Sequence, residues 1–90
     1  MAVLIRCNDK RHPQFGAVWA VSGLTRTPVR AEDYDRWKFL AGEPAEEDGA
    51  AFDWWMRNTT DISHLAGVTL TVFYIRTVID RIAKALKVPT

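Results

Sequence analysis

The sequence predicts an α+β fold: a small antiparallel sheet of about three strands packed with two or three helices, in the order β-β-α-α-β-α. Two observations carry this. Short apolar runs near the N-terminus have strand length and β-branched content, and later segments repeat their large side chains at helical spacing. Strands and helices that do not alternate strictly point to helices packed on one antiparallel sheet.

The first run, 2–7 (AVLIRC), is a strand. Residues 8–16 (NDKRHPQFG) are polar with Pro and Gly, and read as a loop. The run 17–22 (AVWAVS) is the second strand, expected to pair antiparallel with the first. Thr27-Pro28 reads as a helix start, with Thr as cap and Pro at the first position.

From Ala31 a helix follows. Tyr34, Trp37 and Leu40 or Ala41 recur at its period. Glu32, Asp33 and Asp35 come early, Lys38 comes late and Gly42 stops it, in keeping with the helix dipole. Residues 42–49 (GEPAEEDG) read as an acidic loop. A short second helix spans 50–58, with Asp48 as a cap, and needs packing to hold it.

The last third admits two patterns. Residues 68–75 (VTLTVFYI) are dense in β-branched and aromatic side chains and favour a strand. Val78, Ile79, Ile82, Ala83 and Leu86 then follow a helical repeat, with Thr77 and Asp80 as its capping box. The rival is one helix from about 61 to 86, because Val72, Ile75, Ile79, Ile82 and Leu86 also form one stripe.

Ninety residues suffice for one domain, taken as 1–90. An apolar content of 48%, with 4 Trp, 4 Phe and 2 Tyr, marks a folded chain rather than a disordered one. Cys7 is the single cysteine, so no internal disulfide can form and no multi-thiolate zinc site exists. No secretory signal or membrane-length apolar stretch is visible, so the expected location is cytoplasmic and no membrane partner is expected.

The net charge of +1 conceals a pattern. Residues 1–30 carry five cations against Asp9, residues 31–53 carry eight acids against Arg36 and Lys38, and residues 76–90 carry four cations against Asp80. The acidic middle can pair with the basic ends, or it can steer a basic partner.

No catalytic arrangement emerges. Cys7 lies in an apolar strand, His12 in a basic loop, and His64 in a segment where a structural role is expected. No Walker loop, dinucleotide fingerprint, EF-hand or nucleophile elbow is present, so neither enzyme activity nor any cofactor or metal is expected.

The tryptophans favour protein recognition, since Trp, Tyr and Arg dominate interface hot spots. Around the stretch 53–58 (DWWMRN), the preceding Phe52 shares with Trp55 and Met56 the face that would meet the core. Trp54 lies off it, near Arg57: either it packs under the acidic loop or against another element as one more core ring, or it stands partly exposed with the Arg57 guanidinium stacked on it. Tyr34 and Trp37 raise the same question one helix earlier.

The candidate partner-binding residues are therefore Trp54, Arg57, Glu46, Glu47, Asp48, Asp53, Tyr34 and Trp37. The expected function is that of a small non-enzymatic inhibitor or adaptor that binds a protein with a basic surface. A phage-type, anti-CRISPR-like antagonist of a host nucleic-acid-handling complex fits that description, as does an immunity or antitoxin protein. The alternative is a small nucleic-acid-binding protein that uses the basic N- and C-terminal segments. The sequence is compatible with a homodimer through the C-terminal helix and does not require one.

Overall fold

The computed structural model describes residues 2–65, 71, 74–80 and 82. The class is α+β, built on a mixed five-stranded sheet. Strand β1 (Val3–Cys7) pairs antiparallel with β2 (Val18–Ser22), opposing Leu4 to Ala20 and Ile5 to Trp19. This is the expected pair. The loop between them is tied at both ends. Gly16 N–H donates to Cys7 O, Cys7 N–H to Ala17 O, and Asn8 N–H to Glu47 O.

Strand β3 (Thr25–Pro28) follows β2 through the two-residue turn Gly23-Leu24. Gly23 adopts a φ of 60°, as the first central position of a primed hairpin turn requires. Thr27-Pro28 is therefore the end of a strand and not a helix cap. Thr27 faces Ala20 in the sheet, and the chain turns into the next helix only at Arg30.

A single 3-10 turn (Ala31–Asp33) leads into α1 (Tyr34–Ala41), which ends at Gly42 as its sequence predicts. Within the expected acidic loop lies a three-residue strand, β4 (Ala45–Glu47), parallel to β1. Its length is too small to leave a periodic signal; pairing with β1 creates it. Helix α2 (Gly49–Asn58) starts at Asp48, whose carboxylate accepts the Ala51 N–H at 2.8 Å. The Asp9 carboxylate lies against the bare Cα of Gly49, so a side chain there would have to displace it. Strand β5 (Thr60–Asp61) closes the other edge, parallel to β3.

The strand order is β4-β1-β2-β3-β5. One helix covers each face. Leu4, Ala20 and Ala2 meet Trp37 of α1, with Leu40 and Ala41 beside it. Ile5, Cys7 and Val21 meet Phe52 of α2, with Trp55, Met56 and Trp19 around it. Both faces of β1 are thus buried, which explains why its sequence is a nearly continuous apolar run and not an alternation.

The expected strand at 68–75 is not supported where it can be seen. Thr71 and residues 74–80 are helical, as is Ile82. Thr77 consequently lies inside a helix and is not its cap. The other residues of that expected strand lie outside the described residues. Intrinsic strand preference is a weak prior, and the β-branched residues at this point do not override the helical context of the segment.

Arg26 joins the sheet to α2. Its guanidinium lies over the Trp19 ring, 4.9 Å from the centroid, and one of its terminal nitrogens donates to Met56 O and Thr59 O. A cation placed on the last carbonyls of a helix is favoured by the helix dipole. Asn58 Nδ2 donates to Trp54 O at 2.8 Å, and Thr59 Oγ1 donates to Trp55 O at 2.6 Å, so the terminal carbonyls of α2 are met by side chains. Replacing Arg26 by Met should cost about 2 kcal/mol, the scale of hydrogen bonds to a charged donor. Urea unfolding monitored by tryptophan fluorescence would show the loss, and an unchanged midpoint would contradict this role for Arg26.

Candidate functional site

The surface around α2 collects most of the candidate residues, and the reason is helical geometry. With Phe52 fully buried and Trp55 and Met56 packed beside it, Trp54 and Arg57 fall on the opposite side. Trp54 is 51% exposed, and Arg57 is exposed as well. The Trp54 ring meets Trp55 edge-to-face, with centroids 5.1 Å apart and planes at 84°. This neighbour, and not an Arg57 stack, sets the orientation of the indole; among the described residues, cation–π contacts involve Arg6, Arg26 and Lys38.

Asp53 turns sideways from α2 to the β1–β2 loop. Its Oδ1 lies 2.7 Å from His12 Nε2. The Gln14 N–H donates to His12 Nδ1 at 3.0 Å, so the hydrogen-bond network assigns the lone pair to Nδ1 and the proton to Nε2. The imidazole also sits edge-on to Phe52 at 5.2 Å. Gln14 in turn accepts the Trp19 indole N–H at 3.0 Å. Both ring nitrogens of His12 are engaged in holding the loop. The loop histidine is thus a latch between loop and helix, formed by residues 41 positions apart.

The acidic candidates divide. Glu46 Oε1 takes a hydrogen bond from the Arg6 guanidinium at 2.7 Å across the β1–β4 pair. Arg6 also donates to the Tyr34 hydroxyl at 2.9 Å, and Lys38 lies 5.4 Å from the Tyr34 ring centroid while pairing with Glu43. Burial draws the Arg6 guanidinium down, but its bonds to Glu46 and Tyr34 outweigh this and leave it above its ordinary value. The hydrogen bond to Glu43 raises Lys38 likewise. Tyr34 therefore sits between two cations, Arg6 and Lys38, each paired on its far side with an acid, and the Arg6 contacts tie α1 to β4. Asp48 caps α2. Glu47 gives its backbone carbonyl to Asn8, and among the described residues no ion pair engages its carboxylate.

Trp37 is 2% exposed and lies in the α1 core, away from any contact surface. His64 is exposed in a 3-10 turn (Ser63–Leu65) and is not a packed histidine; Asp61 turns to the Ser63 N–H instead. A shallow open groove of about 510 Å³ runs between Tyr34 and Val18. Arg6, the one ion lining it, is already engaged by Glu46. Among the described residues, no three His, Cys, Asp or Glu side chains converge as a metal site would need. No helix among them is long and apolar enough to cross a membrane.

Residue spacing alone did not reveal Arg26, His12 or Gln14. Each acts through a partner distant in sequence, and only the basic character of the loop hinted at His12. Comparison of the chain with family models, curated proteins and solved structures finds no match to any of them.

Replacing His12 by Phe keeps a ring against Phe52 and removes both hydrogen bonds. The expected result is a stability loss of about 1–2 kcal/mol. Amide exchange at Gln14 should also accelerate, while the helix α2 signal persists. Equal exchange in both proteins would show that the loop is held by other contacts.

Proposed function

We propose that this chain is a small non-enzymatic protein-binding module, an inhibitor or adaptor, that docks its partner on the outer face of α2. The observation that carries this reading is Trp54: a large indole half in solvent, on a helix whose inward face is already filled by Phe52. A rigid, amphipathic ring beside an exposed Arg57 is the kind of anchor that dominates interface energies. The frame beneath supports it, because α2 is capped at both ends and latched to the β1–β2 loop.

The acidic segment contributes less to recognition than its composition promises. Glu46, Asp48 and Asp53 each have an internal partner, which leaves Glu47 and the exposed Asp35 as the acids to meet a basic surface. Within this class, a phage-type antagonist of a host nucleic-acid-handling complex and an immunity or antitoxin protein share the same build.

The nucleic-acid alternative draws on Lys10 and Arg11, both exposed in the loop that also exposes Phe15, and on the cations of the C-terminal segment, Arg76, Arg81, Lys84 and Lys87, of which Arg76 is exposed. Three other N-terminal cations serve the fold: Arg6 holds Glu46, Arg26 caps α2 and Arg30 holds Asp33. That weakens the alternative. A low-salt gel shift that dissolves with added salt would favour it.

Trp54→Ala is the direct test. Affinity capture from the source cell should retain its partner with the wild-type chain and lose it with the variant. The melting temperature should change little, because half of the ring never leaves water. Capture of the same partner by both proteins would place recognition elsewhere.

A further inference from the structure

One ring, that of His12, joins two elements by bonds with opposite demands. Its Nε2 faces the Asp53 carboxylate of α2 at 2.7 Å, and its Nδ1 accepts the Gln14 N–H at 3.0 Å. A backbone N–H can only donate, so Nδ1 must keep its lone pair for the second bond to exist. That bond is open only to an imidazole carrying a single proton. Asp53 favours the other state, because a carboxylate binds an imidazolium more strongly than a neutral ring. A second proton on the ring therefore breaks one of its two bonds and strengthens the other.

We propose that His12 is a proton-operated latch on the β1–β2 loop. With one proton the ring ties Gln14 to α2. With two it stays on Asp53 and releases Gln14, since two N–H groups then point at each other. The proton comes from solvent, to which the His12 side chain is 13% exposed. Asp53 is the charged group that meets the ring from α2, and Phe52 of the same helix meets it without charge. Towards the sheet, the uncharged Gln14 leads to the Trp19 indole. Within the loop, the Asp9 carboxylate turns to the Arg11 N–H, and Lys10 and Arg11 are exposed. The course of the loop does not depend on the ring. Phe15 N–H donates to His12 O, Gly16 N–H to Cys7 O and Ala17 N–H to Gln14 O in either state. What is freed is Gln14, whose Oε1 holds the Trp19 indole N–H, and with it the exposed Phe15 one residue on.

Nuclear magnetic resonance of isotopically labelled protein tests this across a pH series, with the ring nitrogens reporting their own protonation. At the alkaline end a scalar coupling across the N–H···N bond should link the Gln14 amide nitrogen to His12 Nδ1. It should vanish as Nδ1 gains its proton. Protection of the Gln14 amide from exchange should then fall about fivefold, the scale of one neutral hydrogen bond. The Trp19 indole N–H signal should shift at the same midpoint. His64, exposed in its 3-10 turn, supplies a reference ring in the same sample. In His12→Phe the Gln14 amide should show no step. In Asp53→Asn the step should move to more acidic pH, because the carboxylate that favours the second proton is gone. A Gln14 amide without coupling to the ring at alkaline pH would overturn the proposal. So would protection that survives protonation of Nδ1, a step that persists in His12→Phe or stays in place in Asp53→Asn, or a ring that takes no second proton before the protein unfolds.

Discussion

The structure depends on one constraint: β1 is buried on both of its faces. A strand with Leu4 on one side and Ile5 and Cys7 on the other cannot be covered by a single layer. Two helices are needed, one per face, and α1 and α2 have only eight and ten residues. Neither helix is long enough to hold by its own propensity. Trp37 and Phe52 each insert one large ring into the sheet and fix the orientation of their helices. Once Phe52 points inward, Trp54 must point outward. The surface offered to a partner is in this sense a by-product of how the core is filled.

Charge pairing then orders the periphery. The cations of the first third meet the acids of the middle across the fold, through Arg6–Glu46 and, locally, Arg30–Asp33. Exposed pairs of this kind add little stability, since water and side-chain entropy offset their attraction. They matter more for geometry. Arg6 joins β1, β4 and α1 at one guanidinium, and Arg26 does the same for β3, the sheet face and α2. A nearly neutral total charge conceals an arrangement in which most acids among the described residues already have a partner.

The parts legible in the sequence were those with their own periodic signal. The β1–β2 pair showed as two apolar runs around a polar loop. Helix α1 showed through Tyr34, Trp37 and Leu40, and α2 through Phe52, Trp55 and its Asp48 cap. Strand β3 was missed because Thr25-Arg26-Thr27-Pro28 is polar and ends in proline, and its place is set by the Gly23 turn. Strands β4 and β5 have three and two residues, so only tertiary pairing defines them. The C-terminal segment misled through its β-branched residues. At the candidate site, helical spacing placed Trp54 off the core face of α2 but left open whether it packs under the acidic loop. Trp37 was drawn to the surface by its residue type, although its own spacing with Leu40 marks a core position. The His12–Asp53 latch spans too much sequence for any local pattern to reveal.

The buried thiol has a practical meaning. Cys7 is fully enclosed between β1 and the α2 face, and it is the one cysteine in the chain. A thiol reagent can reach it only when the sheet and α2 separate. The rate of its alkylation in native buffer therefore measures how often the interior opens, through the native sequence and without an added probe. The residue that offers least for chemistry becomes the molecule's own gauge of its integrity.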